Sequence, residues 1–521
     1  MPRPSRSRLV ELTGRIDIED WHRDPATRPT VAVHEAFTGE VLAEVPSGTA
    51  DDVERAFAAA RDAQVGWAAT PVRERAAVLA RFADLVEAHR DEVLDVIQAE
   101  SGKNRLSALD EVLDAVLTAR HYAAKAPRLL ADERIPGPFP LLSKATVVHV
   151  PRGVVGMISP WNYPFSLPMG DGLAALVAGN ALVHKPASLT PFSTLLGLEL
   201  WAEAGLPPEV WQVVPGGGRE VGGAVVEACD FLMFTGSSAT GAQLGAQIGA
   251  RLVPFSAELG GKNPMIVGAG ADLERVAEIA VRACFASAGQ LCMSIERIYV
   301  EESVHEEFCA VLAARVSAMR LGAGYSWTPE MGSLVSQDQM DVVTRHIADA
   351  VDKGARVLAG GHARPDLGPL FHEPTLLTDV PPGALCHDEE TFGPVVAIYP
   401  VADLDEAVAR ANDSAYGLAS AVFCRTPEEG YAVAARLTTG MANVDEGYAV
   451  AWSSLDGPSG GMGISGVGYR HGREGLLKYT QARTIGMQSP RMHLGGPEAL
   501  PTRVWGPALA RSTTLLKYLK R

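Results

Sequence analysis

The chain has 521 residues, is 47% hydrophobic and 21% charged, and carries enough apolar residues for two to four structural units. Its 46 Lys and Arg against 62 Asp and Glu leave a net charge of −16, which disfavours nucleic acid, itself a polyanion, as a partner. The six cysteines form no CxxC pair, so free thiols in a reducing, cytoplasmic compartment are expected, with no metal site.

Residues up to about Arg28 read as an irregular arm. The N-terminal MPRPSRSRLV is basic but lacks a following apolar region, so no secretory signal is visible. Helical periodicity appears over 51–63 and strongly over 72–99, where Ala76, Leu79, Phe82, Val86, Val93 and Ile97 recur at steps of three and four. A third helix is predicted over 106–125, and a Pro/Gly-rich break follows at 136–140. Short apolar strands then alternate with helices: strands at 146–149, 154–158, 181–185, 210–214 and 231–234, helices at 172–177, 192–204 and 222–227. A second alternating series runs over 264–443, beginning with a strand at 265–267, a helix at 273–286 and a strand at 298–300. This pattern predicts an α/β chain with two doubly wound, parallel open sheets. The longest apolar stretch, 172–183, is broken by Gly179 and Asn180 and is too short to span a bilayer, so no membrane partner is expected. The tail, 500–521, mixes Trp505, Leu509 and Leu515 with Arg503, Arg511 and Lys517, and reads either as a packed helix or as an interfacial one.

Six segments carry candidate chemistry. Five cysteines sit in apolar contexts and read as small core residues. Cys292, in Gly289-Gln290-Leu291-Cys292, follows a helix in a Gly-containing turn, where backbone N–H groups would favour a thiolate. Glu258 closes an apolar strand before Leu259-Gly260-Gly261, and serves there either as a general base or as a surface carboxylate. Phe234-Thr235-Gly236-Ser237, continuing to Gly241, is a strand, a tight turn and a helix start, which suits a pyrophosphate or is simply a βα turn. Trp161-Asn162 lies in a turn stiffened by Pro160 and Pro164, and the Asn162 amide offers donors for an oxyanion. Lys185, followed by Pro186 and Ser188, suits a ribose or phosphate or stands as a solvated charge. Glu390-Thr391-Phe392-Gly393-Pro394 is a loop ahead of a strand.

Taken together and in this order, the segments PWNYP, Lys185-Pro186, FTGS, ELGGK, GQxC and ETFGPV resemble the aldehyde dehydrogenase superfamily over nearly the whole chain. The resemblance implies a Rossmann-like cofactor domain (29–135 and 151–257), a catalytic domain (258–445), a small β flap for oligomerisation (136–150 and 478–490) and a C-terminal tail (491–521). It implies Cys292 as nucleophile, Glu258 as the base that activates water, and Asn162 with the Cys292 N–H as oxyanion donors. Trp161, Lys185, Ser188, Gly236, Ser237, Gly241, Leu259, Glu390 and Phe392 would bind NADP or NAD. A small-molecule aldehyde and a homo-dimer or homo-tetramer follow as expectations.

Two departures bear on specificity. Serine at 188 stands where many NAD-specific members carry Glu, which removes a charge that would repel a 2′-phosphate, so NADP is expected to be accepted. The phrases CFASAGQLCMSIERIYVEE and MANVDEGYAVAW are similar to a succinate-semialdehyde dehydrogenase subgroup. Yet the arginines that clamp the distal carboxylate in better-known members are Gly170 and Ala286 here, with Arg470 and His471 as substitute candidates. Succinate semialdehyde and neutral aliphatic or aromatic aldehydes are therefore the two substrate readings, and a non-catalytic binding protein of the same fold is the reading from another class.

Overall fold

The computed structural model describes residues 3–16, 18, 21, 28–137, 143–488 and 500–519, the side chains of 512–519 excepted. Residues Met1–Pro127 with Pro151–Tyr479 form one unit, and Arg128–Val150 with Thr480–Arg521 a second.

The first unit holds two open sheets. The six-stranded sheet runs in the order Gly466–Val467, Phe255–Glu258, Phe231–Thr235, Val154–Ile158, Ala181–Lys185, Trp211–Val213. All its pairs are parallel except the edge strand Gly466–Val467. From Val154–Ile158 the chain winds outward to one side, then returns to the other at Phe231–Thr235. The carboxyl ends of these two strands therefore flank the switch point, where open α/β sheets leave a crevice. The seven-stranded sheet has the order Arg356–Ala359, Thr375–Thr378, Val395–Val401, Ile295–Glu301, Asn263–Val267, Ala419–Phe423, Met441–Val444. Only its edge pair, Arg356–Ala359 with Thr375–Thr378, is antiparallel. The strands Asn263–Val267 and Ala419–Phe423 are buried along their whole length, as a sheet covered on both faces requires. The link from Glu258 to Asn263 carries the chain from the carboxyl end of one sheet to the amino end of the other.

Several elements differ from the sequence expectation. The N-terminal arm is not irregular: Arg6–Leu12 is a helix capped by Ser5, and it buries Leu9 and Leu12. Arg8 secures it by pairing with Glu92 and Glu199, partners invisible to local periodicity. The helix predicted over 72–99 is two, Val72–Ala88 and Arg90–Ser101, because His89 leaves helical geometry (ψ 16°). The helix predicted over 172–177 begins earlier, at Ser166. Its first amides, those of Phe165 and Ser166, donate to the buried Glu111 carboxylate at 2.9 and 3.0 Å, which satisfies groups a helix start leaves open.

The second unit contains a three-stranded sheet in the order Thr480–Gln488, Ser143–Pro151, Glu133–Pro136, and a C-terminal helix, Thr502–Leu519. Parts of the expected flap and tail, 138–142 and 489–499, lie outside the described residues. Among the described residues no helix is long and apolar enough to cross a membrane.

Candidate active site

Cys292 belongs to a turn that backbone strain and side-chain bonds hold open. Ser287, Ala288 and Gly289 all take left-handed backbone angles (φ 54°, 55° and 70°), and for non-glycine residues each such angle costs roughly 1–2 kcal/mol. The Ser287 N–H donates to Ser107 Oγ at 3.0 Å. Gln290 closes the turn, its Nε2 donating to the Ser287 carbonyl and its Oε1 accepting from the Val335 N–H, both at 3.0 Å. Asn263, at the amino end of its strand, donates to the carbonyls of Cys292 (2.7 Å) and Ser294 (2.8 Å) and accepts from the Ala419 N–H. Glycine is required at 261, where a Cβ would meet the Cys292 carbonyl oxygen at 2.5 Å.

Two cavities open on this cysteine. One, of about 250 Å³, is lined by Trp161, Asn162, Thr235, Gly236, Ser237, Glu258, Leu259, Glu390 and Phe392 with Cys292. The other, of about 240 Å³, is lined by Asn162, Leu167 and Cys292 together with Leu113, Leu117, Leu291, Met293, Tyr448 and Trp452. Asn162 and Leu167 are shared between them. The structure thus brings together, around a half-buried sulfur, segments separated in sequence by more than a hundred residues. The other five cysteines are buried.

In the first cavity Trp161 and Phe392 meet edge to face at 5.4 Å. Phe392 has a left-handed backbone (φ 52°), fixed because its N–H donates to Glu296 at 2.9 Å and its carbonyl accepts from Gln339 Nε2 at 3.0 Å. Glu296 is itself bound to Lys262 at 2.5 Å. Ser237 caps the helix Ser238–Ala250, so that helix begins at the cavity wall, where its positive end suits an anion. Glu390 accepts from the Gly261 N–H at 2.7 Å, and burial, with Glu296 nearby, pushes its carboxyl up to about 8. Gly241 does not line the cavity: it lies under Leu259, whose side chain a Cβ there would strike. Lys185 and Ser188 lie one strand further out, Lys185 at the end of Ala181–Lys185 and Ser188 just past it. Lys185 Nζ donates to the Pro186 carbonyl at 3.0 Å and Ser188 Oγ to the Gly216 carbonyl at 3.3 Å. Burial pulls Lys185 down to about 8. The row from Lys185 past Trp161 to Ser237 follows the switch-point crevice, a shape that fits an extended dinucleotide.

Glu258 is buried, its Oε1 has no hydrogen-bond partner among the described residues, and burial pushes its carboxyl up to about 7. A carboxylate poised near neutrality and short of partners is suited to taking a proton. Against the thiolate expected at Cys292, burial first, then Glu390 and Glu258, push the thiol up to about 12, while Arg470 opposes them. Asn162 Nδ2 donates to the Gln290 carbonyl at 3.1 Å, which leaves its second N–H free for another acceptor.

The second cavity is walled mainly by apolar side chains. Its cation, Arg282, was not singled out from sequence; it is bound to Asp110 at 2.6 Å and lies 3.4 Å from Tyr448 Oη. Asp114 accepts from Trp452 Nε1 at 2.8 Å, and burial pushes it up to about 7. Arg470 and His471 do not serve this cavity as a clamp. Arg470 is committed to Asp171 at 2.7 Å, while His471 meets Trp452 edge to face at 4.5 Å and is held neutral, its imidazole lowered to about 3 by burial. Gly170 sits with them in a narrow pocket, and Ala286 is buried at the start of the cysteine turn.

Residues 21–485 match the profile of the Aldehyde dehydrogenase family. The chain belongs to the aldehyde dehydrogenase family. The "Putative succinate-semialdehyde dehydrogenase [NADP(+)] 2" of Mycobacterium tuberculosis is 52% identical over 509 residues, 98% of this chain and 97% of that one. An NADP-dependent enzyme of E. coli superposes with a TM-score of 0.85 at 33% identity, covering 88% of this chain and 95% of its own. An aldehyde dehydrogenase from Bacillus cereus in complex with NAD+ gives 0.84 at 34% identity, covering 88% and 93%. As an aldehyde dehydrogenase the chain oxidises aldehydes.

Proposed function

We propose that this aldehyde dehydrogenase converts an aldehyde to a carboxylate through a thioester on Cys292, with NADP or NAD as hydride acceptor. The observation that carries the reading is that both cavities open on Cys292, with Glu258 on the wall of one. Cys292 Sγ adds to the aldehyde carbon as its proton passes to solvent water. The carbonyl oxygen takes the negative charge and is held by Asn162 Nδ2 and the Cys292 N–H. When bound, the dinucleotide supplies the acceptor for the hydride that leaves this carbon with its electron pair. The carbon–oxygen double bond then re-forms as a thioester. Glu258 takes a proton from water, the water oxygen attacks the acyl carbon, and the departing sulfur takes that proton back from Glu258 to leave as the thiol while the acid is released. Trp161, Gly236, Ser237, Leu259, Glu390 and Phe392 would hold the dinucleotide, and Lys185 and Ser188 its adenosine end. Single-turnover kinetics test the assignment. Glu258→Gln should release one reduced dinucleotide per site and then stall as the acyl enzyme, and Cys292→Ala should release none; steady turnover by either variant refutes it.

Ser188, which carries no negative charge against a 2′-phosphate, supports NADP; a much higher kcat/KM with NAD would refute that preference. The names of the mycobacterial relatives make succinate semialdehyde the first substrate candidate, with Arg282 as the cation near its distal carboxylate. A second reading, neutral aliphatic or aromatic aldehydes, is favoured by the apolar walls and by Asp110, which already balances Arg282. Comparing kcat/KM for succinate semialdehyde with that for a neutral aldehyde of similar length separates the two. The exposed Ile485 and Met487 of the strand Thr480–Gln488 support a homo-dimer or homo-tetramer, which sedimentation would report.

A further inference from the structure

Behind the proposed base lies a buried set of charges that this reaction does not use. Strands Phe231–Thr235 and Phe255–Glu258 run side by side with Met233 opposite Ser256 and Thr235 opposite Glu258. Side chains alternate along a strand, so these four share one face. Lys478 Nζ lies 3.3 Å from both Met233 Sδ and Ser256 Oγ. One step along the same face, Arg470 Nη2 donates to Thr235 Oγ1 at 2.6 Å. The guanidinium therefore sits at the rung that carries Glu258. Asp171, from the helix Ser166–Val177, ties the two cations together: it accepts from Arg470 at 2.7 Å, from Tyr479 Oη at 3.3 Å, and lies 3.7 Å from Lys478.

Arg470, Asp171 and Glu258 are buried, at 7%, 5% and 5% exposed, and Lys478 is nearly so, its side chain 10% exposed. Two cations share one bonded anion, and a low-dielectric interior penalises the unbalanced charge. The fourth charge that completes the set is the Glu258 carboxylate. The other ionisable groups facing Glu258 are Cys292 and Glu390, across the cavity. We propose that Arg470 is a positioning residue that keeps Glu258 in its ionised, proton-accepting form, and that Asp171 limits the strength of its field. Arg470 acts against the burial that drives both Glu258 and Cys292 upward. The proposal rests on Glu258 being the base.

The test is the pH profile of thioester hydrolysis, followed as the steady rate after the first turnover, with dinucleotide binding by fluorescence as the check on folding. The wild-type acid limb should fall near pH 7. Arg470→Met should move it upward by about one pH unit, Arg470→Lys should restore most of it, and Asp171→Asn should move it downward. A purely structural role would shift neither midpoint, or would lower rates at every pH. Unmoved midpoints, or shifts of the same sign in Arg470→Met and Asp171→Asn, overturn the inference. If Arg470→Met does not fold, Lys478→Met carries the test with a smaller upward shift, and an unmoved limb there overturns it equally. Glu258→Gln runs alongside. Full turnover by that variant defeats the base assignment itself, whereas a stall after the burst with an unmoved Arg470→Met limb defeats only the role of Arg470.

Discussion

Asn162 and Asn263 both hold the cysteine turn, Asn162 through the Gln290 carbonyl and Asn263 through the carbonyls of Cys292 and Ser294, and the proposed mechanism gives Asn162 the reacting oxygen as well. Truncating Asn162 removes a donor aimed at developing charge, so Asn162→Ala should lower kcat by ~10²–10³ while leaving dinucleotide affinity in place. Steady-state kinetics with a dinucleotide titration check both halves of that statement. Two opposite shifts set the pH window. Glu258, raised to about 7, accepts protons only above that pH, so hydrolysis-limited turnover should decline below it. Lys185, lowered to about 8, is a cation only below that pH, so the KM for dinucleotide should climb above it. A profile of kcat and KM over pH 5.5–9.5 would expose both limbs, and a flat kcat through the acid range would contradict the assignment of Glu258. Cys292, Glu258 and Asn162 were legible in the sequence because each stands in a short local segment. Asn263 and Arg282 were not, and Arg470 was singled out only as a carboxylate-clamp candidate, since what defines the three is a partner 29, 172 or 299 residues away.

At the scale of elements, the turn 286–292 shows how a local signal understates its setting. Gly289 announced a turn, but nothing nearby announced that Ser287 and Ala288 would share its left-handed backbone. That geometry is imposed by Ser107, Asn263 and the loop at Gly393, all distant in sequence. Gly289 combines φ 70° with a position where a Cβ would strike the Gly393 carbonyl. Gly289→Ala is therefore expected to displace the turn and remove most activity, with a loss of stability on the order of 2–4 kcal/mol. Urea unfolding and the burst amplitude measure the two effects; a variant as stable and as active as the parent would show that the turn relaxes. Strand cores at 154–158 and 181–185 were readable to the residue because continuous apolar runs mark strands buried on both faces. Helix ends were not: the start at Ser166 depends on Glu111, and the break at His89 interrupts an unbroken apolar stripe.

For the whole molecule, the alternating pattern was enough to give two parallel open sheets, since covered parallel strands and helical crossovers leave few other solutions. It did not show that Gly466–Val467, more than two hundred residues beyond its neighbour, returns to edge the first sheet beside Glu258. A ligand held in the crevice of one sheet and against loops of the other should stabilise both together. At a hundred times its Kd, NADP should add about 2.7 kcal/mol to unfolding, seen as a rise in Tm that grows with the logarithm of concentration. A Tm indifferent to NADP would mean that the folded chain does not bind it at that concentration. The two chambers that share Cys292 have different walls, one carrying Trp161 and Ser237 and the other Leu113 and Trp452. On the proposed division of labour, a plug shaped for the leucine-lined chamber should compete with aldehyde and leave dinucleotide binding untouched, which would sort inhibitors by the chamber they fill.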